Sequence, residues 1–212
     1  MTTPINVIQQ SQLDPRQAAQ LRAIYESSFP PSERGDVSKF AAAIASRVYS
    51  LFTAIDGNDL LGFAVTLRLT PSDVHLLSYL AVAQQARNRG IGEKLMRGAT
   101  QLLRDNAHAT ALILEVESPD ESNAEERHLR ERRIEFYRRL GATMIEGAPR
   151  YRAPNLAGTG TLNFKLMWLP LVDSAKVPTG EQLKQLVLAI YVQSYKLTSG
   201  DPLVVEALQE LK

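Results

Sequence analysis

Residues 74–96 read VHLLSYLAVAQQARNRGIGEKLM, and the fold follows from how this stretch is read. Val74, Leu76, Leu77, Tyr79, Leu80 and Val82 form a run too apolar for an exposed edge and rich in strand formers. Arg87, Asn88, Arg89, Gly90, Ile91 and Gly92 follow as a basic turn holding two glycines. From Glu93 the apolar residues return at helical spacing, at Leu95, Met96, Ala99, Leu102 and Leu103. A helix that begins at the glycines directs its unpaired N–H groups, and the positive end of its dipole, into the turn. Gly90 and Gly92 carry no side chain to hold an anion off the backbone, and Arg87 and Arg89 add full charges. Such a turn suits a phosphate.

Two common phosphate motifs are absent. No GxxxxGK[ST] occurs in the chain, and the dinucleotide pattern GxGxxG fails at its third glycine, where Leu95 stands. Glu115 does lie about where a ribose contact would be, so the second rejection rests on that glycine alone. What remains is Arg87-x-x-Gly90-x-Gly92 after an LxxLAV strand. This resembles the acyl-CoA signature of the GCN5-related N-acetyltransferase (GNAT) family, whose turn holds a pyrophosphate. The resemblance implies acetyl-CoA as the cofactor, with its diphosphate on the amides of Arg87, Asn88, Arg89, Gly90, Ile91 and Gly92. It also implies a pantetheine arm lying along Leu80, Ala81 and Val82, where the family's central strand is splayed from its neighbour by a bulge.

The 212 residues, 44% of them hydrophobic, can bury a real core, and a formal net charge of +1 gives no general attraction to nucleic acid or membrane. Cysteine is absent, which removes disulfides, thiolate metal sites and a cysteine nucleophile. No apolar run approaches the ~20 residues of a membrane span, and no secretory h-region is seen at the N-terminus. A soluble, cytoplasmic protein is expected.

In chain order, Asp14-Pro15 caps a helix with Leu21, Ile24, Tyr25 and Phe29 on one face, ending before Pro30-Pro31. The loop PPSERGD leads to a second helix carrying Val37, Phe40, Ala41 and Ile44. Tyr49 to Ile55 and Leu60 to Leu69 read as strands around the turn Asp56-Gly57-Asn58-Asp59. Ala111 to Glu117 is a further buried strand, and Ala124 to Leu140 a charged helix closed by Gly141. Ala142 to Ile145 and Leu162 to Leu169 read as a last pair of strands. The β-α-β-α order from the central strand through Leu140 favours a parallel inner pair.

This order of elements also resembles the GNAT fold, over roughly residues 5 to 170. The expected class is therefore α/β: a GNAT-like mixed, centrally splayed sheet flanked by helices, with a C-terminal helical hairpin. Residues 1–170 are expected to form the acyltransferase domain and 171–212 a helical appendage. In the appendage Thr179-x-x-Gln182 fits a capping box ahead of the stripe Leu183, Leu186, Val187, Ile190 and Tyr191. Asp201-Pro202 caps a shorter helix. The hairpin covers the domain's own surface or forms a homodimer contact.

The segment Phe136-Tyr137-Arg138-Arg139-Leu140-Gly141-Ala142 resembles the family's FYxxxGF, in which the tyrosine lies near the acyl-CoA sulfur. The match implies that Tyr137 donates a proton to the departing thiolate, a role open to a group of pKa about 10. The residue-based alternative is a core tyrosine with a hydrogen-bonded hydroxyl. Arg130 and Arg133 stand where the family often has Asn and Ala, so the asparagine contact to pantetheine is missing. Leu129, Arg133, Phe136, Tyr137 and Leu140 share a helical stripe, which turns Arg133 inward. An inward guanidinium needs a carboxylate, and Glu115 or Glu117 on the preceding strand can supply it.

Direct attack by an amine of pKa about 10.4, neutral only about once in two thousand molecules at pH 7, calls for a base. The family's central-strand glutamate is absent here; that strand offers His75, Ser78 and Tyr79 instead. Glu117 is the first candidate, with Glu115 and Glu33 behind it, although a carboxylate neutralised by arginine makes a poor base. Glu33, Arg34 and Tyr151 are candidates for the acceptor site, and Arg34, Arg150 and Arg152 in these two loops suggest an acceptor bearing an anion. Glu125-x-x-His128 lacks partners for a metal, no GxSxG elbow occurs, and no metal is expected.

The function expected is acetyl transfer from acetyl-CoA to an amine of a small molecule or protein, with no nucleic-acid or membrane partner. The alternative is an acyl-CoA-binding module of the same fold that acts through protein contacts without turnover.

Overall fold

The computed structural model describes residues 5–120 and 122–211, excluding the side chain of Lys39. The chain divides into two compact units. One comprises the chain up to Arg68, Leu77–His108 and Leu156–Gly158; the other comprises Leu69–Leu76, Ala109–Asn155 and the chain from Thr159 onward.

The first unit holds β1 (Asn6–Gln10), α1 (Pro15–Ser28), α2 (Val37–Ala45), β2 (Tyr49–Asp56), β3 (Asp59–Arg68), most of β4 (Val74–Val82) and α3 (Ile91–Ala107). Asp14 caps α1 by accepting the Gln17 N–H at 2.8 Å, and Asp36 caps α2 through Ser38 N–H. Leu21, Ile24 and Tyr25 of α1 are buried, and the helix packs on β3. β2 and β3 form the expected hairpin, with Gly57 at φ +59° in its turn. The α3 face bearing Leu95, Met96, Ala99 and Leu103 is buried against β1, β2 and β3.

The second unit holds β5 (Ala111–Glu117), α4 (Ala124–Arg139), β6 (Thr143–Met144), β7 (Arg152–Pro154), β8 (Thr161–Pro170), α5 (Gly180–Ala189) and α6 (Pro202–Gln209). A π-helical turn, Ile190–Ser194, continues α5. β8 pairs antiparallel with β5, β6 and β7. The hydrogen-bonded strand order is β1-β2-β3-β4-β5-β8-β6, with β7 beside β8. The protein is thus mixed α/β, with an eight-stranded sheet and six α-helices among the described residues.

Several expectations change. β1 and β7 were not expected: β1 is a five-residue edge strand with only partial burial, and β7 has three residues. α3 starts at Ile91, so Ile91 and Gly92 lie in its first turn instead of in the loop. Thr179 makes no side-chain cap, because Gly180 enters α5 in a left-handed conformation (φ +53°) and the capping box does not form. On α4 the buried residues are Ile134 and Tyr137, while Leu129 is 53% exposed. The inward face is rotated from the stripe expected, which moves Arg133 outward.

Gly62 fixes the approach of β3 to the end of β4. A Cβ there would lie 2.7 Å from the Ala81 carbonyl oxygen, a backbone atom that cannot swing away. Gly62→Ala is therefore expected to cost about 1–3 kcal/mol by overpacking and to lower the melting temperature by several degrees. Gly35→Ala, where nothing lies within 4 Å, serves as the control in the same thermal melts.

Candidate active site

The turn between β4 and α3 is built by two left-handed residues, Asn88 at φ +62° and Gly90 at φ +73°. Asparagine tolerates this conformation better than most side chains, and glycine does so freely. The chain leaves β4 through the Ala83 N–H, which donates to Leu61 O at 2.8 Å, and a 3-10 turn at Gln84–Ala86. Gly90 then caps α3, its carbonyl accepting the Lys94 N–H at 3.1 Å. Among the described residues no backbone hydrogen bond is donated by residues 88 to 93. Left-handed positions in such a turn make a concavity of N–H groups that binds anions, and the α3 dipole adds to it. Residues 87–90 are exposed, and Ile91 is buried beneath them. Arg87 Nε donates to Val82 O at 3.2 Å, which ties its guanidinium to the end of β4. Leu80, Ala81 and Val82 lie just upstream on β4, Ala81 buried and its two neighbours half-buried.

Tyr137 sits on the last turn of α4. Asn123 caps the start of that helix, accepting the Glu126 N–H at 2.9 Å, with Glu125 and Glu126 in the first turn and Arg138 and Arg139 in the last, as the dipole favours. At its end Gly141 is left-handed (φ +98°), Ala142 N–H donates to Tyr137 O and Gly141 N–H to Arg138 O. This Schellman closure fixes the backbone of Tyr137 itself. The side chain is buried, yet its hydroxyl makes no hydrogen bond among the described residues. Its oxygen is not one of the buried polar atoms left without a partner, so it is open to solvent. Burial pushes this hydroxyl up to about 12, against an opposite pull from the charge of Arg133, so it stays protonated at neutral pH.

The two carboxylates on one face of β5 have opposite surroundings. Glu117 is paired with Arg133 through Oε2, and Arg130 Nε lies 3.6 Å from Oε1. Arg130 also donates to Ser118 O at 2.8 Å. The expected pairing of Arg133 with this strand is found, although its side chain is 48% exposed and burial is not the cause. Glu115 faces no cation. Its Oε1 accepts the Tyr151 hydroxyl at 2.6 Å and the Tyr195 hydroxyl at 2.7 Å. Burial raises the Glu115 carboxyl above the usual carboxylate range, and the two hydrogen bonds pull it back only in part. The Tyr151 hydroxyl is held well above its ordinary value, chiefly by burial.

The acceptor candidates fall in both units. Glu33 and Arg34 follow α1 in the first, both half-buried, with Arg34 donating to Glu26 O at 2.5 Å. Tyr151 is in the second, buried and committed to Glu115. Its neighbours are engaged as well: Arg152 pairs with Glu206 of α6 at 2.5 Å and Arg150 with Glu210 at 3.2 Å. Two of the three arginines behind the suggestion of an anionic acceptor, Arg150 and Arg152, are thus already ion-paired. Sequence reading missed Tyr195 and Arg130; the spacing of Tyr191 and Tyr195, one helical turn apart, was the available signal. Among the described residues no three His, Asp or Glu converge as a metal site would need, and no helix is long and apolar enough to cross a membrane.

Solved structures with the same fold include an aminoglycoside 6′-N-acetyltransferase complexed with coenzyme A, at 17% identity and a TM-score of 0.62 over 81% of this chain and 99% of that one. A GNAT-family acetyltransferase of Staphylococcus aureus Mu50 aligns at 15% identity and a TM-score of 0.57, covering 80% and 100%. The ribosomal-protein-S18-alanine N-acetyltransferase of Escherichia coli aligns at 21% and 0.53, covering 82% and 100%. A search of curated proteins returned no match. The acetyltransferase (GNAT) family model matches residues 18–142, more than half of the chain, from the first turn of α1 through the Tyr137 helix and its glycine cap. The chain belongs to the acetyltransferase (GNAT) family.

Proposed function

We propose that the protein is an acetyl-CoA-dependent N-acetyltransferase, cytoplasmic, that acetylates an amine of a small molecule or protein by direct attack. In this reading residues 1–170 are the acetyltransferase domain and 171–212 a helical addition to it. The observation that carries it is the turn at residues 87–92, where undonated amides, a helix N-terminus and two arginines meet on an exposed surface. A diphosphate fits this donor set: it offers many acceptor oxygens and a charge that Arg87 and Arg89 match.

Acetyl-CoA, when bound, supplies an acetyl thioester. The protein's part is positional and electrostatic. The amides of residues 88–92 take the diphosphate oxygens, and the backbone of Leu80, Ala81 and Val82 offers the pantetheine arm a strand edge. A backbone N–H near Leu80 would be the group to polarise the thioester carbonyl. Tyr137 would supply the proton to the leaving sulfur, since its hydroxyl is protonated at neutral pH. Glu117 belongs to the site in a role other than proton acceptor, because both of its oxygens are engaged by arginines of α4. Its charge holds that helix, and Tyr137 with it, against β5. Glu33, Arg34 and Tyr151 remain proposed acceptor-binding residues.

The alternative, an acyl-CoA-binding module of the same fold without turnover, is separated from this reading by turnover itself. Thiol release from acetyl-CoA, measured against a panel of primary amines, tests the proposal. Tyr137→Phe is expected to lower kcat roughly 10²–10³-fold while leaving the dissociation constant of acetyl-CoA unchanged. Tight binding with no thiol release from any amine would overturn it. Replacing Arg87 and Arg89 together by alanine is expected to weaken acetyl-CoA binding by at least about tenfold and to flatten its dependence on salt, read by calorimetry.

A further inference from the structure

The acetyl-transfer reading leaves the amine's proton without a destination, and the second unit contains a carboxylate that nothing so far uses. Both tyrosine hydroxyls that reach Glu115 donate to the same oxygen, Oε1. Among the described residues Oε2 makes no hydrogen bond and no ion pair. Two donors fix the direction of this carboxylate while its other oxygen keeps its lone pairs. Glu117, one pleat further along the same face, is ion-paired instead, Oε2 bonded to Arg133 and Oε1 3.6 Å from Arg130 Nε. Of the two, Glu115 is the one equipped to receive a proton.

Its holders come from late in the chain. Tyr151 precedes β7 and Tyr195 follows the π-helical turn, so both lie outside the family-matched residues 18–142. The surrounding groups keep them there. Tyr191 lies between the two, with ring centroids 5.5 Å from Tyr151 and 6.3 Å from Tyr195, and its hydroxyl donates to Arg152 O at 2.6 Å. Arg152 and Arg150 are in turn paired to Glu206 of α6 and to Glu210, which caps its end. On β8 the register partner of Glu115 is the apolar Leu166. The titratable side chains of β4, the other neighbour of β5, are His75 and Tyr79, and α4 contributes Arg130, Arg133 and Tyr137.

We propose that Glu115 takes the proton of the acceptor's ammonium at Oε2, and that Tyr151 and Tyr195 are positioning residues that hold it for this step. The proposal rests on the acetyl-transfer reading. The step balances as follows: the ammonium passes one proton to Glu115, and the freed lone pair forms the N–C bond as the C–S bond breaks. The sulfur takes the proton of Tyr137, the nitrogen's second excess proton restores Tyr137 by way of solvent, and Glu115 returns its own to water. The segment after residue 170 thereby becomes part of the catalytic machinery through Tyr195. The raised proton affinity of the Glu115 carboxyl suits the task, since a base works best when its pKa lies closer to the working pH.

The test compares wild type, Glu115→Gln, Glu117→Gln and Tyr195→Phe in thiol release with benzylamine, spermidine and a short peptide with a free N-terminus, from pH 5 to 9. Acetyl-CoA titration calorimetry on each variant reports whether the fold and cofactor site are intact. Glu115→Gln is expected to lower kcat/KM at least about 100-fold and to abolish the acid limb of its pH profile. Tyr195→Phe removes a hydrogen bond to the charged form, so the acid limb is expected to move to higher pH. Tyr151→Phe should move it the same way, and it stands in if Tyr195→Phe does not fold. Turnover with an acid limb unmoved by either tyrosine variant would overturn this inference alone, as would an acid limb lost in Glu117→Gln and kept in Glu115→Gln. Acetyl-CoA bound without turnover of any amine by wild type would overturn the acetyl-transfer reading, and this step with it.

Discussion

Between the end of β4 and the start of α3 the chain must turn sharply without closing its own backbone hydrogen bonds. Asn88 and Gly90 do this by taking left-handed conformations two residues apart, and α3 then starts at once. The consequence is a run of amides that the protein leaves undonated, at the positive end of a seventeen-residue helix. In water such amides are satisfied by solvent at little cost, and an anion with several oxygens can replace that solvent. The constraint is local, but the surrounding packing serves it: Ile91 anchors the turn from below, and α3 is seated on β1, β2 and β3. Gly98 allows the closest approach, since a Cβ there would lie 2.6 Å from the Cβ of Val7.

Charge compensation divides the labour in the second unit. Glu117 and Glu115 sit two residues apart on one strand, so sequence spacing gives them the same orientation and says nothing of their neighbours. What separates them is what the rest of the chain brings. α4 supplies two guanidiniums to Glu117, and the late segment supplies two hydroxyls to Glu115. A guanidinium cancels charge; a hydroxyl orients the carboxylate and leaves its charge in place. One residue therefore holds a helix and the other keeps its chemistry. The ion pairs of Arg150 and Arg152 with α6 belong to the same arrangement, because they fasten the loop that carries Tyr151.

Much of the fold was legible because its signals are local. The β4 run, the Gly57 hairpin turn, the Asp14 and Asp201 caps and the Gly141 helix end each depend on residues within a few positions, and each is found. β1 was not legible, since a short edge strand half-open to solvent has no burial pattern to show. The Arg133–Glu117 pair was anticipated from a burial argument that fails, because the inward face of α4 is set by Ile134 and Tyr137. Tyr195 lies 80 positions from Glu115, and no periodicity links them. Only the path of the folded chain brings that hydroxyl to that carboxylate.

The central claim is that the turn at residues 87–92 seats a diphosphate. Calorimetric titration of coenzyme A and of pantetheine, which lacks the nucleotide and both bridging phosphates, measures it directly. The account predicts clear binding of coenzyme A and at least about a hundredfold weaker binding of pantetheine, the difference shrinking as salt is raised. Equal affinity for the two, or no heat with coenzyme A, would contradict it.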